Sequence, residues 1–257
     1  MTGLRSSAEH LQIGSLIFDK FDQIDLTGPI EVFSRIPRST HRVYGTVAGP
    51  YTDARGLRVI ADAILDDAPQ LDLLHIPGGF GQESLMDDPA VLGWIQRQSA
   101  DAEVTFSVCT GALLLGAAGL MRGRRATTHW SAFHLLPLFG AEPVNDRVVI
   151  DGTVVTTAGV TAGIDGALRV AAMLRGDAAA RLIQLAVQYA PKPPFDGGTP
   201  ERAPAEILRV AGWPPPTSPS AGRSLHAGSP VGWGSSADAR PSWSRPPGEL
   251  LVPSGRT

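Results

Sequence analysis

Hydrophobic residues along the chain form short apolar runs that alternate with stretches predicted to be helical. The runs that have the length of a strand lie at 11–18, 41–48, 71–77, 103–108, 147–150 and 153–157. Helices are predicted at 25–33 and 89–98, and apolar residues at helical spacing predict three more that begin near Leu113, Ile164 and Leu182. Strands that alternate with helices predict an α/β domain with a mostly parallel sheet covered on both faces.

The last part of the chain has a different composition. Residues 211–257 contain 9 Pro, 7 Gly and 9 Ser among 47 residues, and they show no helical period. A segment with so few apolar groups to bury cannot offset the entropy of ordering its backbone. We therefore expect one α/β domain over residues 1–205 and a disordered Pro/Gly/Ser-rich tail over 206–257.

Composition and charge narrow the range of functions. The chain has 257 residues and a formal net charge of -3, which argues against a protein that binds nucleic acid by neutralising phosphates. No apolar run reaches the length of a membrane-spanning helix, and the N-terminus lacks the core of a signal peptide. A single cysteine can form neither an intramolecular disulfide nor a multi-cysteine zinc site. We expect a cytoplasmic protein that needs no metal or organic cofactor.

Cys109 is the first candidate for chemistry. It directly follows the predicted strand at 103–108 and opens a predicted helix, a position like the nucleophile elbow of hydrolases. The partial positive charge of a helix N-terminus is expected to stabilise a thiolate there, although a free cysteine is also commonly a buried structural residue. Asp25 and the Gly78-Gly79 pair also follow predicted strands, and ligands of parallel sheets bind at those strand ends.

Each neighbouring candidate has a functional and a structural interpretation. Gly78 and Gly79 either point backbone N–H groups at a developing negative charge or only form a tight turn. Asp25 either exchanges a proton near the thiol or caps the helix that it opens. Thr110 either donates a hydroxyl hydrogen bond beside the nucleophile or caps its helix.

Three further side chains are candidates either for the site or for a structural role. His129, in the stretch ATTHW, is a candidate base because a Cys–His pair activates a thiol. His75, inside a predicted strand, is interpreted as a core histidine. Asp165 either serves the site or caps the following helix, and the cap is favoured.

Taken together, seven stretches resemble the ThiJ/PfpI superfamily, and within it the isonitrile hydratases. The matching stretches are 25–29 (DLTGP), 76–79 (IPGG), 107–112 (SVCTGA), 116–120 (GAAGL), 125–130 (RATTHW), 163–166 (GIDG) and 189–195 (YAPKPPF). The resemblance implies a flavodoxin-like three-layer α/β sandwich of the class I glutamine amidotransferase-like type, and a homodimer. It also implies addition of water to an isonitrile, which gives an N-substituted formamide.

The resemblance assigns roles to individual residues. Cys109 matches the nucleophile, Asp25 the acid–base carboxylate, Thr110 the supporting hydroxyl, and Gly78 and Gly79 the oxyanion-hole glycines. Proteases and glyoxalases of the superfamily usually have Glu in place of this Asp, and the proteases have His directly after the nucleophile. Both departures favour the hydratase.

Other functions remain open at this stage. Many proteins with this domain are ligand-sensing halves of AraC-type regulators, but the tail of this chain shows no helix-turn-helix pattern. Another cysteine enzyme of the same fold, such as a glyoxalase or an amidase, is a second alternative. A redox sensor is a third, because a reactive thiolate oxidises readily.

Overall fold

The computed structural model of the protein describes residues 9–211. These residues divide into two compact units, which meet in the sequence between Pro191 and Lys192. The first unit contains the sheet and helices described below. In the second unit, a single helix lies within the described residues.

The first unit is built on a seven-stranded sheet. Within the described residues the strands are β1 (Leu11–Leu16), β2 (Ser39–Gly45), β3 (Pro50–Thr52), β4 (Arg58–Ile60), β5 (Ala63–Ile64), β6 (Leu73–Ile76), β7 (Val104–Val108), β8 (Arg125–Ala126), β9 (Glu142–Pro143), β10 (Val148–Asp151) and β11 (Val154–Thr157). The main sheet has the order β10-β11-β7-β6-β1-β2-β5, and only β10 is antiparallel to its neighbour. The predicted α/β class and mostly parallel sheet are therefore confirmed.

Helices cover both faces of this sheet. In the first unit the helices are α1 (Gln23–Phe33), α2 (Gln82–Leu85), α3 (Pro89–Asp101), α4 (Gly111–Ala117) and α5 (Ala162–Ala186), with 3-10 segments at Leu65–Asp67 and Trp130–Phe139, whereas α6 (Ala205–Val210) is the helix of the second unit. One buried cluster joins β6 to α3 and α4, and a second joins β1 and β7 to α1 and α5. This gives the three layers expected of a flavodoxin-like fold.

The strand order decides where a site can form. β7, β6 and β1 are neighbours in the centre of the sheet and run parallel, so their carboxyl ends lie side by side. Cys109 follows β7, Gly78 follows β6, and Asp25 lies in the helix that follows β1. The convergence expected from the sequence is thus produced by the topology.

Some predicted boundaries needed correction. The two helices predicted near Ile164 and Leu182 are confirmed as the two halves of α5, which are separated by the non-helical residue Gly176 with a φ of +81°. The short strands β3, β4, β5, β8 and β9 lacked a clear sequence pattern. Helix α6 crosses the predicted boundary at residue 205, whereas residues 212–257 of the predicted tail lie outside the described residues.

Residues 9–211 lack two features, a membrane-spanning helix and a cluster of metal-ligating side chains. None of the helices there is both long and apolar enough to cross a membrane. The same residues contain no group of three or more His, Cys, Asp or Glu side chains placed to hold a metal ion.

We predict that Gly166→Ala weakens the packing of α5 on the sheet. A Cβ atom at Gly166 would lie 2.3 Å from Cγ2 of Thr157 and 2.7 Å from Cε2 of Phe106, both of which are buried. Overpacking of this kind costs about 1–3 kcal/mol, which urea unfolding would measure as a loss in the free energy of unfolding.

The matched control is Gly93→Ala, inside α3. The nearest atom there is Nη1 of the Arg97 side chain at 3.3 Å, so the added methyl group meets only a flexible chain end. Alanine is favoured over glycine in a helix interior, and we expect a gain of about 0.5–1 kcal/mol. Equal effects at Gly166 and Gly93 would contradict the close packing of α5.

Candidate active site

Cys109 occupies a strained turn between a strand and a helix. It has a φ of +55°, a left-handed conformation that non-glycine residues rarely adopt. Its N–H donates to the carbonyls of Thr157 at 3.2 Å and Ala158 at 3.0 Å, and its carbonyl accepts a hydrogen bond from Oγ1 of Thr128 at 2.7 Å. These contacts hold the backbone in a conformation that lifts the thiol out of the strand direction, with 7% of the residue exposed.

The Asp25 carboxyl lies beside this thiol. Asp25 is fully buried in the first turn of α1, within reach of the Cys109 side chain. Its Oδ2 accepts a hydrogen bond from the Gly78 N–H at 3.1 Å, whereas Oδ1 makes no aligned hydrogen bond with any described residue. The alternative that Asp25 caps the helix is wrong, because Asp22 is the N-cap and accepts from the N–H groups of Ile24 and Asp25.

Thr110 links the two glycines to the cysteine. Its hydroxyl makes no capping hydrogen bond in α4 and instead accepts from the Gly79 N–H at 3.1 Å. Thr110 therefore stands at the N-cap position of α4 without capping the helix through its side chain. A Cβ atom at Gly78 would lie 2.7 Å from Oδ2 of Asp25 and from the N and Oγ1 atoms of Thr110. The missing side chain at Gly78 is thus what lets Asp25 and Thr110 approach each other.

The two glycine N–H groups are engaged in the structure. Gly78 donates to Asp25 and Gly79 donates to Thr110, so neither N–H is aimed at open space as an oxyanion hole would require. Gly79 also has a φ of +133°, and a Cβ there would lie 2.5 Å from the backbone N of Asp22. The glycines position the acid and the hydroxyl.

His129 and Asp165 lie on other elements. His129 begins the 3-10 segment Trp130–Phe139, and its Nδ1 is 2.8 Å from Oγ of Ser131. Burial lowers the pKa of His129 to about 4, so the ring is neutral at pH 7. The preference for Asp165 as a helix cap is wrong, because Thr161 is the N-cap of α5 and Asp165 pairs with Arg147.

Comparison with known sequences decides the family. The sequence pattern of the DJ-1/PfpI family matches residues 12–173, more than half of the chain.

The chain belongs to the DJ-1/PfpI family.

Individual relatives refine this assignment. The chain is 48% identical over 202 residues to an isonitrile hydratase from Pseudomonas putida, covering 78% of this chain and 88% of that protein. A crystal structure of a ThiJ/PfpI family protein from Pseudomonas syringae superposes with a TM-score of 0.76 at 36% identity, covering 78% of this chain and 84% of that one. This DJ-1/PfpI family enzyme is a homologue of isonitrile hydratase.

A regulator is also among the relatives. The HTH-type transcriptional regulator CdhR of Pseudomonas aeruginosa is 31% identical over 166 residues, covering 62% of this chain and 47% of that protein. The shared domain therefore occurs in proteins of different function. The function of a given member must therefore be inferred from the side chains around Cys109 and not from the domain alone.

Burial dominates the electrostatics of the Cys109–Asp25 pair. It raises the pKa of Asp25 from an ordinary 3.8 to about 8, and the charge of Asp22 acts in the same direction. Burial, followed by the Asp25 charge, raises the pKa of Cys109 well above its ordinary value. The Thr110 N–H lowers the pKa of Cys109, as expected at a helix N-terminus, but less than burial raises it. The direction of these shifts favours a protonated thiol over the expected resting thiolate.

Access to the sulfur is narrow. A groove of about 800 Å³ lies along β10 and α5, and a depression of about 300 Å³ lies along α1. Neither of these two cavities is lined by Cys109 or Asp25, and only 7% of Cys109 is exposed. A reactant can therefore reach the sulfur only if its reacting atom lies at the end of a narrow group.

We predict that the stability of Asp25→Asn relative to the wild-type protein increases as pH rises. The folded pKa of Asp25 is about 8 and its ordinary value is 3.8, so the stabilisation from keeping this carboxyl neutral is complete below about pH 4 and is lost as pH rises toward 8. Asn keeps an oxygen for the Gly78 N–H and cannot ionise.

Urea unfolding of both proteins at about pH 5 and about pH 8 provides the measurement. The advantage of Asn over Asp in the free energy of unfolding should increase by at most about 1.4 kcal/mol per pH unit over this interval. A difference that does not change with pH would contradict the raised pKa of Asp25.

Proposed function

We propose that the protein hydrates isonitriles to N-substituted formamides with Cys109 as nucleophile and Asp25 as proton donor and acceptor. The observation that carries this proposal is the buried Asp25 carboxyl, fixed by the Gly78 N–H within reach of the Cys109 thiol. The 48% identity to a Pseudomonas putida isonitrile hydratase supports the same substrate class. The terminal carbon of an isonitrile is slim and uncharged, which suits a sulfur that is only 7% exposed.

In the first step a proton moves from the carboxyl to the substrate. Asp25 has a pKa of about 8 and is mostly protonated at pH 7. It gives this proton to the terminal carbon, which becomes electrophilic as a C–H bond forms. The Cys109 sulfur then bonds to that carbon, and the thiol proton passes to the Asp25 carboxylate. The product is a covalent thioimidate, and the carboxyl is again protonated.

In the second step water releases the product. Water adds to the thioimidate carbon while Asp25 gives its proton to the nitrogen and accepts one from the water. The C–S bond of the resulting tetrahedral adduct breaks, and the remaining hydroxyl proton passes through Asp25 to the sulfur. A formamide leaves and the thiol is restored. Two small barriers replace one large barrier, as covalent catalysis requires.

Supporting groups have simpler roles in this scheme. Thr110 and Gly79 hold the turn that carries Cys109 through their 3.1 Å hydrogen bond. Burial raises the pKa of Asp25, and the charge of Asp22 raises it further. His129, with a pKa near 4, is a neutral polar group that we assign to substrate binding. No metal or organic cofactor takes part in the scheme.

We further propose that the protein is a cytoplasmic homodimer that acts on a small molecule and binds neither nucleic acid nor membranes. The family resemblance supports the dimer, and the exposed Leu182 and Leu185 of α5 offer apolar surface. The net charge of -3 supports the absence of nucleic-acid binding. Sedimentation velocity would measure the oligomeric state.

A ligand-sensing role is the second candidate, supported by the 31% identity to a transcriptional regulator. A sensor would bind a small molecule without consuming it. Isonitrile turnover that depends on Cys109 would exclude a purely sensory role. Methylglyoxal consumption without isonitrile turnover would instead support a glyoxalase of the same fold.

We predict that Cys109→Ala and Asp25→Asn each abolish isonitrile turnover. The first variant lacks the nucleophile, and the second lacks the proton that makes the isonitrile carbon electrophilic, so kcat should fall by at least about 10³-fold in each. Formation of the formamide from a simple alkyl isonitrile, followed by chromatography, provides the measurement. Wild-type turnover by either variant would exclude the mechanism.

We predict that kcat/KM is constant near pH 7 and falls above about pH 8. The free enzyme loses activity as Asp25 deprotonates, by about tenfold per pH unit beyond its pKa. Asp22→Asn is the matched variant, because Asn still caps α1 but removes the charge that raises the pKa of Asp25. Its falling limb should begin at lower pH. Identical profiles for both proteins would contradict the assignment.

A further inference from the structure

A chain of three polar side chains, two fully buried and one half-buried, crosses three adjacent strands of the sheet. Nε2 of His41 lies 2.8 Å from Oγ of Ser15, and Oγ of Ser15 lies 2.8 Å from Nδ1 of His75. These residues stand on the adjacent strands β2, β1 and β6. Ser15 and His75 are fully buried, so the chain is shielded from water where it nears α1.

His75 is held in one orientation by aromatic neighbours. Its ring centroid lies 5.7 Å from that of Phe33 in an edge-on contact and 5.5 Å from that of Phe106. Its Nδ1 bonds Ser15, whereas its buried Nε2 has no aligned hydrogen-bond partner among the described residues. Burial lowers the pKa of His75 to about 3. The nearby backbone of Asp25 acts in the opposite direction and raises that pKa.

The Asp25 backbone carbonyl lacks its usual helical donor. In an α-helix a carbonyl accepts from the N–H four residues later, and for Asp25 that residue is Pro29, inside α1. Proline has no N–H, so the helix cannot form this bond. The buried Asp25 carbonyl therefore lacks its helical donor and the buried Nε2 of His75 lacks an aligned acceptor, while the Asp25 backbone lies close enough to affect the pKa of His75.

We propose that His75 is a positioning residue that donates from Nε2 to the Asp25 carbonyl in place of the missing Pro29 N–H. This contact fixes the first turn of α1 and thereby holds the Asp25 carboxyl against Cys109. The role of that carboxyl rests on the proposed function. The placement of Asp25 by His75 does not.

The hydrogen-bond directions agree along the whole chain. With the proton of neutral His75 on Nε2, Nδ1 must accept, and Ser15 donates its hydroxyl hydrogen to it. Ser15 then accepts from Nε2 of His41, whose pKa burial lowers to about 4 while the Asp62 charge opposes this. Each donor has one acceptor, and no charged imidazole is needed inside the sheet.

The test compares His75→Asn with His75→Gln. An Asn amide reaches Ser15 but ends short of the Asp25 carbonyl, whereas a Gln amide extends to the position of Nε2. The first readout is alkylation of Cys109 by iodoacetamide as a function of pH, which reports one site because the chain has a single cysteine. The second readout is kcat and KM for an alkyl isonitrile.

We expect the Asn variant to change the behaviour of the pair. Loosening Asp25 weakens its effect on the thiol, so the alkylation midpoint should move to lower pH by about half a unit, and kcat should fall about tenfold, the loss expected for one buried hydrogen bond. KM should stay within about twofold. The Gln variant should restore the wild-type midpoint and most of kcat.

Pro29→Ala gives an independent check by double-mutant cycle. Alanine supplies the backbone N–H that proline lacks, so the Asp25 carbonyl regains a helical donor and His75 becomes less important. The effect of His75→Asn on the alkylation midpoint should therefore shrink at least threefold in the Pro29→Ala background.

Several outcomes would overturn the proposal. They are an unchanged alkylation midpoint in His75→Asn, equal midpoints and rates in the Asn and Gln variants, or the same Asn effect with and without Pro29. A loss of thermal stability alone would show that His75 is only a packing residue. If the wild-type protein does not hydrate isonitriles, the proposed function fails, and the alkylation midpoints still decide whether His75 positions Asp25.

Discussion

The burial of one carboxyl against one thiol is the constraint on which the rest of the site depends. A buried carboxylate is costly, so Asp25 keeps its proton to a pH near 8 and stands beside a thiol that also stays protonated. Such a pair holds two protons and no buried charge, so the substrate can take one proton from the carboxyl while the carboxylate receives the thiol proton. The site is therefore prepared for a substrate that takes up a proton as sulfur attacks.

The fold meets this constraint with backbone geometry. The three central strands end side by side, and glycine at position 78 leaves the space in which Asp25 and Thr110 meet. The strained φ of Cys109 is held by two backbone hydrogen bonds to Thr157 and Ala158 and by one from the Thr128 hydroxyl. Strain at one residue persists because the surrounding structure determines it. The backbone of the sheet thus fixes the positions of Cys109, Asp25 and Thr110, whose side chains need little conformational freedom.

Sequence patterns predicted the sheet, the turn at Cys109 and the nearness of Asp25, because all three follow from strand order and spacing. They did not predict which aspartate caps α1, since Asp22 and Asp25 both stand near the helix start. The sequence favoured a resting thiolate and burial favours a protonated thiol, because helix position is visible in a sequence and burial is not. His75 was interpreted as a core residue. Its proposed positioning role depends on the fact that Pro29 has no N–H to donate to the Asp25 carbonyl. The assigned roles of the site residues stay predictions.

The central claim is that Asp25 is a protonated carboxyl at neutral pH. Infrared difference spectroscopy between the wild type and Asp25→Asn, recorded from about pH 6 to about pH 10, would detect the carbonyl stretch of that carboxyl directly. The account predicts that the band is present at pH 7 and disappears with a midpoint near pH 8. A carboxyl already ionised at about pH 6, as an ordinary exposed aspartate would be, would contradict it.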